Sequence, residues 1–600
     1  MKLLSFVLAL VSLPAAAQRC PIWDVVFYNG NILTGKNLLS STPERVKSIA
    51  IQDGKIVAVD PTDSLNGCAK ESIDLHGAFA MPGFNDAHTH MASAGQQQLA
   101  VDLDNIPSLS AMQDKIKTYA STLPEGAWIT GGGWDHTKWA SKTLPTRQDL
   151  DAVTAGHPAF LERTDGHIAV VNSAALAAAH IIASTKSPAG GQIDLDASGQ
   201  PTGIIRDAAL ALIRPAIPKP DAATRRRALQ LSIDDALAHG VTSVQDYSDW
   251  DDFLVLEQME KEGKLPVRFS EWLTFNDSLD TLKAQRAHHD LNDPLLHTTM
   301  LKGFMDGSLG SRTAAMLAPY SDDPNNSGLP RYDQAKLNQM AAERAEAGFR
   351  LGFHAIGDRA NKMALDAYTF ANTAAEQQHQ KDVDACYAAH PEKRTMPDAC
   401  GTFPRLPVSR ADRFRIEHAQ VVSPGDFQYF HDLGVIASMQ PSHLLTDMAW
   451  AGARLGPERS KYAYAWKSFL DHSVVLCFGT DYPVESISPF RGLYSAVTRM
   501  NEASTQTFEP QEKITLNQAL YAYTQASAYA QFAENQKGIL AKGYLADFVV
   551  LDRDITKATP QELLHTKVLR TVVGGVTRYT APITPVAETP HHSIPDGDGN

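Results

Sequence analysis

Ala78-Phe79-Ala80-Met81-Pro82-Gly83-Phe84-Asn85-Asp86-Ala87-His88-Thr89-His90 is the stretch on which the architecture turns. An apolar, β-like run over 78–83 leads directly into two histidines two positions apart. In extended backbone residues i and i+2 point to the same side, so both imidazoles can face one ion. The pair alone proves little, because His-x-His arises by chance and a single histidine is more often a core or surface residue. Its weight comes from what repeats downstream.

Seven further apolar runs follow, at 240–245, 267–273, 300–305, 349–353, 414–416, 435–439 and 474–478. Amphipathic helical stretches fit between most of them. In 359–373, for example, Ala360, Met363, Ala364, Ala367 and Phe370 share one face. Alternating β-like and helical segments imply parallel α/β architecture, and eight units favour a closed (β/α)8 TIM barrel over an open sheet. Polar candidates mark the ends of these runs. Lys302 lies inside the fourth, where a charge is costly unless paired with a carboxylate or modified. His354 ends the fifth, His418 the sixth, and Asp481 follows the eighth. In such a barrel the C-terminal strand ends build one face, so six groups remote in sequence would converge there. Two intervals, 100–225 and 374–411, are too long for simple connections and read as excursions above the barrel, where lids and specificity segments belong.

The ends of the chain have a different texture. Short strands at 25–28, 32–34, 48–52 and 55–59 are punctuated by Asn29-Gly30-Asn31 and Asp53-Gly54 turns, and a matching set at 547–551, 568–573 and 576–579 closes the chain. They suggest one discontinuous β-sandwich, from 18–80 and 535–580, around a barrel over 81–534. The polar residues 581–600 read as a disordered tail. At the start, Lys2, the apolar run 3–13 and Ala15-Ala16-Ala17 read as a signal peptide over 1–17, cleaved before Gln18. The run is too short for a bilayer span of about 20 residues. The expected location is therefore secreted or periplasmic, with no membrane anchor after cleavage. Ala17-Gln18-Arg19 does not suit a lipidation signal at Cys20. Five cysteines in an exported chain leave one unpaired; spacing suggests Cys20–Cys68 and Cys386–Cys400 bridges, with Cys477 a buried thiol.

With 600 residues, 43% of them hydrophobic and 20% charged, the composition is that of ordinary globular protein. The net charge of −14 is spread along the chain, which argues against nucleic acid as partner. Arg225-Arg226-Arg227 reads as a solvated helix face. Ser308 has no Gly-x-Ser-x-Gly elbow, no Walker-type loop is present, and Gly131-Gly132-Gly133 reads as a flexible turn.

The strand ends, their order and their residue types resemble the metal-dependent amidohydrolase superfamily. Asp306-Gly307-Ser308-Leu309-Gly310-Ser311-Arg312, the segment 354–359 and Gly131-Gly132-Gly133-Trp134 resemble its amidohydrolase 3 branch, which includes N-substituted formamide deformylase-like proteins. The resemblance runs through Gly543-Tyr544-Leu545-Ala546-Asp547; segment 374–411 has no expected counterpart. It implies that His88 and His90 bind one metal, His354 and His418 another, and that a carboxylated Lys302 bridges both, with Asp481 completing the site. Imidazole and carboxylate donors suit zinc; manganese, iron or nickel are also compatible. Two ions would activate a bridging hydroxide and polarise a carbonyl, while Asp481 passes the proton to the leaving amine.

Trp134, Arg163, Asp165 and His167 are candidates for the substrate pocket, His167 as an oxyanion donor and the alternative being a surface histidine; Trp134 could equally be core. Asp306 and Arg312 are candidates to orient the site. The expected activity is hydrolysis of a C–N bond in an amide-like small molecule. Ester, lactone or phosphoester hydrolysis on the same barrel is the alternative, and a non-catalytic periplasmic metal- or ligand-binding protein is the third reading. A homodimer is left open.

Overall fold

The computed structural model describes residues 22–582 apart from 66, 68, 165–167, 189–190, 397 and 402–404. Segment 1–17, Cys20, Cys68, Asp165, His167 and the tail from 583 onward lie outside the described residues.

Eight parallel strands follow one another around a barrel: β1 Phe84–Thr89, β2 Val241–Asp246, β3 Arg268–Thr274, β4 Leu296–Phe304, β5 Arg350–Ala355, β6 Arg415–His418, β7 Ile436–Met439 and β8 Leu476–Phe478. Register aligns their ends. Lys302 lies opposite Gly352, and Ala355 opposite His418. The seam between β8 and β1 is closed at the C-terminal end, where Asp481 N–H donates to the His88 carbonyl (2.8 Å) and His90 N–H to that of Tyr482 (2.8 Å). The buried Asp86 carboxylate accepts from Thr480 N–H (3.0 Å) and Oγ1 (2.6 Å), so a side chain stands in for missing ladder bonds.

One strand differs from expectation. The run 78–83 supplies no barrel strand: Phe79–Pro82 pairs antiparallel with Phe548–Leu551 in a sheet built from both chain ends. The chain changes sheet at Gly83, where a Cβ would lie 2.3 Å from the Thr242 side chain. The first barrel strand is the histidine segment itself. Phe-Asn-Asp-Ala-His-Thr has poor strand propensity, yet all six residues are buried, so tertiary packing overrides local preference.

That terminal sheet has six strands, in the order Val576–Thr580, Val568–Val573, Phe548–Leu551, Phe79–Pro82, Asn31–Leu33, Arg45–Val46. It packs on a four-stranded sheet, Lys55–Asp60, Ser48–Gln52, Trp23–Tyr28, Ala69–Asp74. Ile32, Phe548 and Val572 from the first meet Phe27, Ile49 and Ile51 from the second in one core, with the Phe27 and Phe548 rings edge to face at 4.8 Å.

The first excursion is an independent six-stranded mixed sheet spanning Val101 to Asp207, with its own core around Trp134 and Trp139. Gly131-Gly132-Gly133 is not a turn but part of the strand Ile129–Trp134; a Cβ on Gly131 would lie 2.1 Å from the Val101 carbonyl oxygen. The second excursion does not lie above the barrel mouth. It prolongs the helix Asp358–Ala389, which leaves the C-terminal end of β5 and runs for 32 residues, about 48 Å at 1.5 Å per residue. Running back from the mouth, it reaches the N-terminal foot, where Ser409 leads into β6 and the extension emerges. Asn372 Nδ2 donating to Ser409 Oγ (2.8 Å) pins its base, and the Cys386–Cys400 disulfide ties its far end. Cys477 is a free, buried thiol. Arg225 is likewise not solvated: it is buried against Asp252, 2.7 Å away. Among the described residues no helix is long and apolar enough to cross a membrane.

Candidate metal centre

The C-terminal ends of β1, β4, β5, β6 and β8 bring His90, Lys302, His354, His418 and Asp481 around one cavity of about 520 Å³, with the fully buried His88 packed behind them. Asp481 is the common member. Its Oδ1 lies 3.0 Å from His90 Nε2 and 3.4 Å from His88 Nε2, while Oδ2 lies 3.5 Å from Nε2 of His443. Two donor groups share it: His88, His90 and Asp481, and His418, His443 and Asp481. Lys302 Nζ, essentially buried, is 3.0 Å from His88 Nε2. Among the described residues no carboxylate forms an ion pair with it. The His354 and His418 rings meet at 4.5 Å.

Each imidazole is held from behind. His88 Nδ1 meets Glu417 Oε2 at 2.7 Å, His90 Nδ1 the Tyr247 carbonyl at 3.0 Å, and His418 Nδ1 the Gln440 Oε1 at 2.8 Å. With Nδ1–H donated to an acceptor, the Nε2 lone pair is left facing the cavity, the arrangement of a metal-ligating histidine. His354 is turned the other way, its Nε2 3.1 Å from the Gly307 carbonyl. Glu417 is in turn paired with Arg415, Nε to Oε1 at 2.5 Å, and Arg415 also donates to Gln245, Ser438 and the Ala87 carbonyl.

Electrostatics favour the ligand-competent forms of His88, His418 and Asp481, whereas at His90 burial is outweighed by the Asp481 carboxylate, which raises the imidazole above its usual range. Burial, reinforced by Lys302, pushes His88 down to about 3; burial and the neighbouring His354 hold His418 well below the usual histidine range. Burial opposes ionisation of Asp481, but His88 and His90 outweigh it and keep the carboxyl well below its ordinary value. Burial lowers Lys302 to about 8. The backbone is bent to aim these groups: His418 has φ 71° and Asp481 φ 59°, conformations that cost about 1–3 kcal/mol each and recur at functional sites.

The donor set fits divalent metal ions. Imidazoles and a carboxylate face one another, and among the described residues the buried His443 Nε2 has no hydrogen-bond partner.

The sequence model of the amidohydrolase family matches residues 71–398 and 371–579. The chain belongs to the amidohydrolase family. Its fold and its donor set are thus those of a metal-dependent hydrolase. The protein LONG AFTER FAR-RED 3 of Arabidopsis thaliana is 33% identical over 574 residues, 93% of this chain and 91% of its own. The N-substituted formamide deformylase of Arthrobacter pascens is 27% identical over 93% of this chain and 98% of its own. The crystal structure of an uncharacterized metal-dependent hydrolase from Pyrococcus furiosus, 28% identical, superposes with a TM-score of 0.71 over 89% of this amidohydrolase and all of that chain (100%).

The remaining candidates divide. Asp306 is buried and staples two loops together, accepting from Ala315, Ile356 and Gly357 N–H, with Oδ1 3.4 Å from His354 Nε2. Arg163 pairs with Asp135 at 2.8 Å and lines a groove between the first excursion and the mouth, which it shares with Tyr482 and Glu485. Arg312 turns away from the cavity: its guanidinium pairs with Asp322 at 2.9 Å on the loop surface. Trp134 is core, fully buried, with Nε1–H donating to the Leu161 carbonyl at 2.9 Å, because the excursion sheet needs a large apolar centre of its own.

Glu417, Arg415, Gln440 and His443 were missed. Glu417 adjoins His418, and a buried carboxylate next to a ligand histidine was a readable signal. His443, four residues past β7, could have been found by asking what the seventh strand contributes to the face.

Proposed function

We propose that the chain hydrolyses a C–N bond of an amide-like small molecule, with His88, His90, Lys302, His354, His418 and Asp481 holding two divalent ions. The observation that carries the reading is the convergence of three backed imidazoles and one shared carboxylate at the strand ends of a barrel. When bound, the ions acidify a water and polarise a carbonyl. Asp481, within reach of both donor groups, takes the proton from the attacking water and delivers it to the leaving amine. Amines leave poorly unless protonated, so this transfer is what amide cleavage demands. Lys302 serves as a carbamate: its amine nitrogen adds carbon dioxide and loses one proton, giving an anion where an ammonium would face cations. Its burial beside His88 without a carboxylate partner supports that state. The name of the Arthrobacter relative supports N-substituted formamides as the first substrates to try. Placement outside the reducing cytosol is supported by the Cys386–Cys400 bridge.

Turnover of N-substituted formamides, N-acyl amines, esters, lactones and phosphoesters by the zinc- or manganese-loaded protein tests the reading. Metal-dependent hydrolysis of a formamide or N-acyl amine is expected. Turnover confined to esters, lactones or phosphoesters would overturn the C–N assignment, and none with any substrate would favour a binding protein.

A further inference from the structure

At the opposite end of the barrel from the histidines lies a cleft of about 250 Å³, between the N-terminal halves of β4 and β5 and the turn 531–537. It is smaller than a drug-sized pocket, the size of a small metabolite. Its polar wall is strongly one-sided in charge. Arg350 begins β5, and among the described residues its guanidinium forms no hydrogen bond or ion pair; it lies 3.8 Å from the centroid of the Phe532 ring. The nearby Glu534 is engaged by Arg413 at 2.6 and 2.9 Å. Lys537 is buried and donates to Ser243 Oγ at 2.5 Å, again with no carboxylate in contact. Burial, reinforced by Arg268 and only partly offset by Asp547, pulls this amine down to about 7.

A second observation points to a ligand. Gln531 is only 4% exposed, lines the cavity, and among the described residues neither its amide nitrogen nor its oxygen has a hydrogen-bond partner. Burying an amide with neither atom satisfied is costly, so an occupant able to bond both Gln531 and the cations is favoured. Leu273, Met300 and Phe349 form an apolar patch of the lining, beside the polar His297, Thr298 and Thr299. Asp293 lies on the wall as well, but its Oδ1 accepts the Leu295 N–H at 2.7 Å.

We propose that this cavity at the foot of the barrel binds a small organic carboxylate, its oxygens held by Arg350, Lys537 and the Gln531 amide and its apolar part by Met300 and Phe349. The bidentate geometry of a guanidinium suits a carboxylate, and the apolar lining favours one that carries a hydrocarbon tail over inorganic phosphate.

Thermal unfolding of the metal-loaded full-length protein, titrated with butyrate, benzoate or inorganic phosphate at constant ionic strength against chloride, tests the proposal. A saturable rise in Tm with butyrate or benzoate is expected, reduced at least tenfold in apparent affinity in Arg350→Met and in Gln531→Leu. Gln531→Leu removes no charge and keeps the side chain's volume, so it carries the test if Arg350→Met fails to fold. A shift that persists undiminished in Gln531→Leu would place the carboxylate elsewhere, at the histidine cavity for example. Saturation by phosphate alone, or by no probe, would overturn the assignment. The readout is binding, so failure here leaves the hydrolase reading intact.

Discussion

The two donor groups that share Asp481, the halves of the proposed metal centre, are built from the same donor types but backed by different chemistry. On one side His88 leans on Glu417, an ionised carboxylate fixed by Arg415. On the other, His418 leans on the neutral amide of Gln440, and His443 has no hydrogen-bond partner at its buried Nε2. A carboxylate behind an imidazole fixes its tautomer and raises its basicity more than an amide can. The first half is therefore the more firmly prebuilt of the two. Asp481 alone belongs to both.

This contrast can be broken by single substitutions. The largest effect is expected from Asp481→Asn, which lacks the proton acceptor serving both halves: kcat should fall by about 10²–10⁴-fold. Steady-state kinetics decide it, and full activity would place the proton transfer elsewhere. Glu417→Gln should weaken metal affinity by about 10–100-fold and, by leaving Arg415 buried and unpaired, destabilise the fold by about 3–5 kcal/mol. Chelator competition and urea unfolding read the two effects separately. Gln440→Leu touches only the amide-backed half; an affinity loss of about tenfold confined to the weaker ion is expected, with the tighter ion unaffected. Equal losses for both ions would erase the distinction between the halves. The smallest effect belongs to Trp134→Phe, which forfeits one buried hydrogen bond worth about 1 kcal/mol and should leave KM unchanged, since this ring is core and not pocket.

What the sequence could tell follows the same division. Ligands that sit at the ends of apolar runs, such as His354 and His418, announce themselves by position, and the barrel is legible from eight such runs. The first strand was not, because Asn85, Asp86 and His88 belong to a buried strand whose residues look like a turn. Their cost is met by partners hundreds of positions away, Thr480 for Asp86 and Glu417 for His88. His443 and Gln440 follow a strand that carries no ligand at its own end, so nothing local drew attention to them. The direction of the second excursion was also hidden: length alone does not say whether an insertion leaves a strand or a helix, and here it prolongs a helix toward the foot.

The most direct test of the central claim is the metal content of the purified chain, measured by elemental analysis beside that of Lys302→Ala. The proposed site, with six donors on one barrel face and Lys302 held as a carbamate, predicts about two divalent ions per wild-type chain and fewer than about one in the variant, with activity lost in parallel. A folded Lys302→Ala protein that holds two ions and turns over substrate at the wild-type rate would contradict it.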